Sequence, residues 1–226
     1  MSKIYGFIFA DEMEYKPFCE HALAHGGKEL DSKGHNIVSM SVGSSQVVAI
    51  ESGVGKVNAA VAAVKLIEEY KVDAVLNAGL SGAVSHLNKG DVAAGTSYVE
   101  CDFDIRAFGR RLGEKTDGTR FYKPGAELLA AALKVNGIKE AALGTGDFFL
   151  QDTDIKNAYK EEFKINAFDM ESAAIAAACD KYGVPFLSIR KISDDADDSA
   201  VDSYTELNDL AETALTEVLL EVVSNL

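Results

Sequence analysis

The stretch Ile189-Arg190-Lys191-Ile192-Ser193-Asp194-Asp195-Ala196-Asp197-Asp198 empties an apolar run into a cluster of carboxylates. Side chains of like charge that close together cannot all ionise without cost, so one is favoured to keep its proton near neutral pH. A protonated carboxylic acid can act as a general acid, and Asp194, nearest the run, is the member best placed to be held rigidly and partly buried. A solvated acidic turn is the plainer account of the same residues. A calcium loop is a third, since Asp195, Asp197, Ser199, Ser203 and Glu206 fall at positions one, three, five, nine and twelve of that register. Against it, position six holds Ala200 where the loop needs glycine, and a strand containing Pro185 precedes it rather than a helix.

Two other acidic sets stand out. Asp11, Glu12 and Glu14 precede a helix-like stretch, as do Asp169 and Glu171, and acidic residues suit a helix N-terminus. That explains Asp11 and Glu12, while Glu14 needs another reason. Ser52-Gly53-Val54-Gly55-Lys56 looks like a phosphate-cradling loop but fails both patterns. Val57 stands where a Walker loop has Ser or Thr, and Asn58 replaces the third glycine of the dinucleotide fingerprint. Its glycines are read as letting a loop approach the sheet or a ligand. Phe148 and Phe149, after Gly146, could stack on a flat ligand or fill a core.

These residues need elements to position them. Val184 to Ile189 reads as a buried strand, so the acidic cluster sits at a strand's C-terminal end, where open α/β sheets bind ligands. Ile4 to Phe9 reads as a first strand, followed by a helix from Tyr15 to about His25. His35 to Met40 and Gln46 to Glu51 form a hairpin-like pair around Gly43-Ser44-Ser45. A helix opens after Gly55, with Val57, Ala60, Val61, Val64 and Ile67 along one face. Asp73 to Asn77 is a strand running into a small-residue loop, Ala78 to Ala83, and Asp91 to Glu100 is another strand. Residues 101–122 read as a flexible wall. Helices are expected over Gly125 to Asn136, Asp154 to Phe163, Ser172 to Lys181 and Tyr204 to Val223, with a strand at Ala141 to Thr145. The alternation predicts a single α/β domain, residues 1–226, with a central mixed, twisted sheet flanked by helices.

The 226 residues suffice for a substantial core, and a net charge of −14 argues against nucleic acid or an anionic membrane as partner. Three widely spaced cysteines, Cys19, Cys101 and Cys179, suggest neither a disulfide framework nor a zinc site. With no signal-peptide pattern and no membrane-span window, a cytoplasmic location is expected.

Taken together, Ala10 to Glu14, Ser52 to Val57, Asn77 to Gly82, Ala107-Phe108-Gly109, Gly146 to Phe149, Asp169-Met170-Glu171 and Arg190-x-Ile192-Ser193-Asp194 resemble the nucleoside phosphorylase and nucleosidase superfamily in order and spacing. Within it the chain is most similar to the methylthioadenosine/S-adenosylhomocysteine nucleosidases. The resemblance implies a nucleoside phosphorylase-like fold and a hydrolase that cleaves a purine from its ribose without metal or cofactor. It implies Asp194 as the acid acting at the purine N7 and Glu14 as the residue that activates water. Glu171 would hold the ribose hydroxyls, Met170 pack on the sugar, Phe149 stack on the base, and the Leu150 backbone read its edge. Ser193 and Arg190 would steady the acidic groups, and Phe108 and Tyr204 complete the substrate contacts. A homodimer is also implied, with the segment around Phe108 reaching a neighbour's pocket.

Glu14, and the lack of arginine in the Gly43 turn and the Gly79 loop, favour water over phosphate as the acceptor, since a carboxylate there would repel the dianion. Lys56 and Arg106 are the basic residues that would serve the phosphorylase alternative. The chain departs from the family pattern at Gly79-Leu80-Ser81-Gly82, at Asp11, and at Arg106 and Arg110. Those departures leave the 5′ group open among methylthioadenosine, adenosylhomocysteine, a futalosine-like substrate and an ordinary purine nucleoside.

Overall fold

Alternation sets the first strand: in β1 (Ile4–Phe9), Tyr5, Phe7 and Phe9 enter one apolar cluster and Ile8 the other, as period-two geometry requires of a strand buried on both faces. Asp11 then caps α1 (Glu12–Ala24), its Oδ1 accepting from the Glu14 N–H at 3.0 Å. The computed structural model describes residues 2–198, 200 and 210–226. Along the chain follow β2 (Lys28–Glu29), β3 (Ile37–Val42), β4 (Ser45–Glu51), α2 (Lys56–Tyr70), β5 (Ala74–Ala83) and β6 (Val92–Glu100). Then come α3 (Ala126–Ala132), β7 (Ile138–Thr145), α4 (Thr153–Phe163), β8 (Ala167–Asp169), α5 (Ser172–Tyr182), β9 (Phe186–Asp194) and α6 (Leu210–Ser224).

The nine strands form one mixed sheet in the order β2-β3-β4-β1-β5-β8-β7-β6-β9, and β9 pairs back onto β5. Strands β5, β8, β7, β6 and β9 therefore close into a ring, with β1 to β4 as a wing on β5. Parallel pairings join β5 to β1 and to β9, and antiparallel ones join β5 to β8 and β9 to β6. The expected hairpin is present, with Val42 facing Ser45 across a two-residue turn. Helices α2 and α5 pack on one side of the sheet and α1, α3 and α6 on the other.

Four expectations need correction. The segment read as a loop from Ala78 to Ala83 is the second half of β5, and β9 runs on through Arg190 to Asp194. Both halves are polar or small because they border the site, which is why composition disguised them. The buried face of α2 is Ala59, Ala62, Ala63, Leu66 and Ile67, whereas Val57 and Val61 are 73 % and 53 % exposed. Helix α5 against it is itself alanine-rich, so small side chains mark the packed face and the valines are left outside. Residues 101–122 carry a short 3-10 turn (Arg106–Phe108) and are tied down by Lys115 to Glu100 (2.6 Å) and by Arg120 to Glu162. The start of the last helix near Tyr204 lies outside the described residues. Among the described residues no helix is long and apolar enough to cross a membrane.

Candidate active site

At the C-terminal ends of β1, β5 and β9, an open cleft is lined by Glu14, Glu171 and Asp194 together with Phe149, Leu150 and Met170. Six of the ten residues singled out from sequence thus share one cavity. Arg190 and Ser193 lie just behind it, fully or almost fully buried. Phe108 is 83 % exposed and does not line this cleft. Tyr204 lies outside the described residues, as do Ser199, Ser203 and Glu206 of the calcium register. Among the described residues no group of three His, Cys, Asp or Glu side chains is arranged to hold a metal.

Glu14 stands in the first turn of α1 with its carboxylate turned back over the sheet. Its Oε2 accepts from the Ala10 N–H (2.9 Å) and its Oε1 from the Leu80 N–H (2.8 Å), so β1 and β5 fix it from two sides. Burial pushes its pKa up to about 8, against the lowering pull of Arg190 and the Leu80 N–H. Gly79 is required here: a Cβ would collide with Glu14 Oε1 and lie 2.7 Å from Arg190 Nη1.

Glu171 precedes α5 and accepts from the Gly55 N–H (3.1 Å), while its Oε2 lies 3.5 Å from Arg190 Nη2. Burial raises its pKa as well. The glycine loop before α2 therefore receives a carboxylate of its own chain. Lys56 N–H does the same for Asp147 Oδ1 (2.8 Å).

Arg190, wholly buried, is the cation beneath these acids. It donates to Ser188 Oγ (3.0 Å), Asn77 Oδ1 and the Leu80 carbonyl (3.3 Å), and pairs with Asp169 Oδ2 at 3.3 Å. Asp169 also caps α5 through the Glu171 and Ser172 N–H groups and accepts from Thr145 Oγ1 (2.8 Å). A guanidinium ringed by acceptors compensates the buried charges around it, which removal of any one member would expose.

Asp194 ends β9 on the far side of β5 from Glu14. Ser193 Oγ donates to its Oδ2 (2.6 Å) and the Ala196 N–H to its Oδ1 (2.8 Å). Burial raises its pKa against both of those bonds, in the direction a proton donor needs. Gly82 admits it, since a Cβ there would lie 2.7 Å from Asp194 Oδ1. Both carboxyls therefore lie against β5, Glu14 at Gly79 and Asp194 at Gly82, three residues apart along one strand, roughly 10 Å. Of the aromatic pair, Phe148 packs toward Phe168 at 5.2 Å, whereas Phe149 is 39 % exposed on the cleft wall.

Sequence reasoning missed Asn77, Ser188 and Ser81 and gave Asp169 only a capping role. Their signal is a polar residue interrupting an apolar strand, as in Val75-Leu76-Asn77-Ala78 and Phe186-Leu187-Ser188-Ile189. Ser81 lines the cleft with a buried hydroxyl that has no hydrogen-bond partner among the described residues.

A mixed sheet closed around β5, with acids gathered at its strand ends, matches a known family: the chain belongs to the phosphorylase superfamily, whose family model matches residues 4–224. It is 37 % identical over 178 residues to the 5′-methylthioadenosine/S-adenosylhomocysteine nucleosidase of Shewanella piezotolerans, covering 75 % of this chain and 77 % of that one. Among solved structures it is similar to a mutant of the Helicobacter pylori enzyme of that name with 5′-methylthioadenosine in its active site. That similarity has a TM-score of 0.95 at 27 % identity and covers all of both chains. It is also similar to a futalosine hydrolase mutant of Helicobacter pylori, with a TM-score of 0.94 at 26 % identity over 99 % of this chain and 100 % of that one.

Proposed function

We propose that the cleft hydrolyses the N-ribosidic bond of a purine nucleoside, 5′-methylthioadenosine, S-adenosylhomocysteine or both, and releases adenine. The observation that carries this reading is the meeting of Glu14, Glu171 and Asp194 around one cavity. Breaking the bond leaves a cationic, oxocarbenium-like sugar, which needs a leaving-group acid on one side and a water-activating base on the other. Asp194 donates its proton to the purine as the C1′–N9 bond breaks. Glu14, farther back along β5, takes a proton from the water that bonds to C1′. Glu171 accepts hydrogen bonds from the ribose hydroxyls, and its negative charge favours the cationic sugar. Phe149 stacks on the base, Met170 packs on the sugar, the Leu150 backbone reads the base edge, and Arg190 and Ser193 hold the acids in place.

Water rather than phosphate is the acceptor in this reading. Lys56, a cation kept for phosphorolysis, is bound by Asp102 (2.7 Å) and Glu100 (3.3 Å), and Arg106 by Asp104 (2.6 Å). The N–H groups at the start of α2 are taken by Glu171 and Asp147. A phosphate dianion would thus meet occupied donors beside buried carboxyls.

The reading extends to a homodimer of single-domain chains in the cytoplasm. Val54, Val57 and Val61 form an exposed apolar strip at the start of α2, and Lys56 ties that end to Asp102, at the root of the segment bearing exposed Phe108. In a dimer, Phe108 would reach the neighbour's cleft. Three unpaired cysteines suit a reducing compartment.

The test is a nucleoside panel in phosphate-free buffer with base and sugar quantified. Free adenine with free 5-substituted ribose is expected, and Asp194→Asn should lower turnover about 10²- to 10⁴-fold with an unchanged circular dichroism spectrum. Sugar 1-phosphate formed only when phosphate is added, or near-normal base release by Asp194→Asn, would overturn it.

A further inference from the structure

Asp11 does two things at once. One carboxylate oxygen caps α1, and the residue lines the cleft. Its second oxygen, Oδ2, has no hydrogen-bond partner among the described residues. The sheet order locates it along the bound nucleoside. Asp194 ends β9, Glu14 and Asp11 follow β1 on the other side of β5, and Val54 follows β4, one strand further out. On the nucleosidase reading, with the base at Asp194 and the sugar between Glu14 and Glu171, the part of the same cleft left for the 5′ arm is lined by Asp11 and Val54. Val54 is 46 % exposed in the single chain, so the arm has room at that end beneath whatever a second copy brings over it.

Among the described residues, every ionisable side chain lining the cleft is acidic: Asp11, Glu14, Asp169, Glu171 and Asp194. Arg190, which contacts them, is buried and already shared among Asp169, Glu171, Asn77, Ser188 and Leu80. Arg106 and Arg110, on the segment that carries Phe108, are engaged by Asp104 and Glu114. An anionic 5′ arm would find no lining cation there, and an ammonium group would find an unshared carboxylate oxygen.

We propose that Asp11 is a specificity-determining residue that makes this cleft select purine nucleosides whose 5′ arm carries an ammonium group over those with a neutral or carboxylate arm. The proposal rests on the nucleosidase reading and narrows its substrate. It places a 5′-thioether with an amine on its tail ahead of a methylthio group, and both ahead of an arm ending only in a carboxylate.

Three adenosines test it, bearing at the 5′ sulfur a methyl group, a 3-aminopropyl chain or a 2-carboxyethyl chain, each assayed for adenine release. The protein is compared with Asp11→Asn, which keeps a good helix cap while removing the charge. In the unaltered protein kcat/KM should rank amine, then methyl, then carboxylate. Asp11→Asn should cut the amine-to-methyl ratio about tenfold and raise the carboxylate-to-methyl ratio. The amine preference should also shrink with added salt, which a purely structural role for Asp11 would not produce. Equal ratios in the two proteins overturn the assignment while leaving the nucleosidase reading standing. Absence of adenine release from all three by the unaltered protein overturns both.

Discussion

Glu14 illustrates how a residue's surroundings set its chemistry. Two backbone N–H groups fix its direction, and burial lifts its pKa from 4.5 to about 8. A base acts only when ionised and an acid only when protonated, so kcat/KM should be bell-shaped with its optimum lying above the ordinary carboxylate range, and Asp194→Asn should abolish the bell; a flat plateau already complete at pH 5 to 6 would remove Glu14 from the base role. The same shift makes the native state bind a proton that the unfolded chain has lost between about 4.5 and about 8. The stability it contributes is therefore full below the lower value and lost as pH rises through the upper one. At this scale the sequence was readable where acids stood beside strand ends: Glu14, Glu171 and Asp194. It was silent on Arg190's partners, because Asn77 and Ser188 within apolar runs say that a buried polar contact exists but not which charge it serves.

At the scale of elements, β5 is the strand on which the cleft is built. Its Leu80 N–H and carbonyl hold Glu14 and Arg190, and its glycines at 79 and 82 leave room for Glu14 and Asp194. Gly79→Ala should displace Glu14 and Arg190 together. We expect kcat to fall at least about 10²-fold, whereas the same change at exposed Gly34, whose positive φ makes it strained but which lies away from the cleft, should lower Tm and leave kcat unaltered. Unchanged turnover in Gly79→Ala would show that Glu14's position is not critical. The small residues that admit the carboxylates also hid this strand, since Gly79-Leu80-Ser81-Gly82 has the composition of a loop. Helix α2 was misread for a related reason. Its hydrophobic valines suggested a core face, but close packing against α5 selects alanine, and helix and strand type were legible where the packed face was not.

For the molecule as a whole, the valines excluded from the core are where the proposed dimer can be tested. If Val57 and Val61 cover a neighbouring copy, Val57→Asp combined with Val61→Asp should convert a dimer to a monomer in light scattering and lower activity, because Phe108 would lose the neighbouring cleft. A wild-type monomer at micromolar concentration, fully active, would contradict this. The general architecture was legible because strands and helices alternate along the chain. The closed ring was not, since which strands pair across more than a hundred residues leaves no local pattern.

That closure has a temporal side. Asn77 meets Ser188 across 111 positions, so β5 leaves the ribosome long before β9 exists. At roughly 5 to 20 residues per second the nascent chain carries one unmated edge for roughly 6 to 20 s. During that interval the strand destined to frame the cleft presents unpaired backbone N–H and C=O groups, the condition under which a strand edge can mispair.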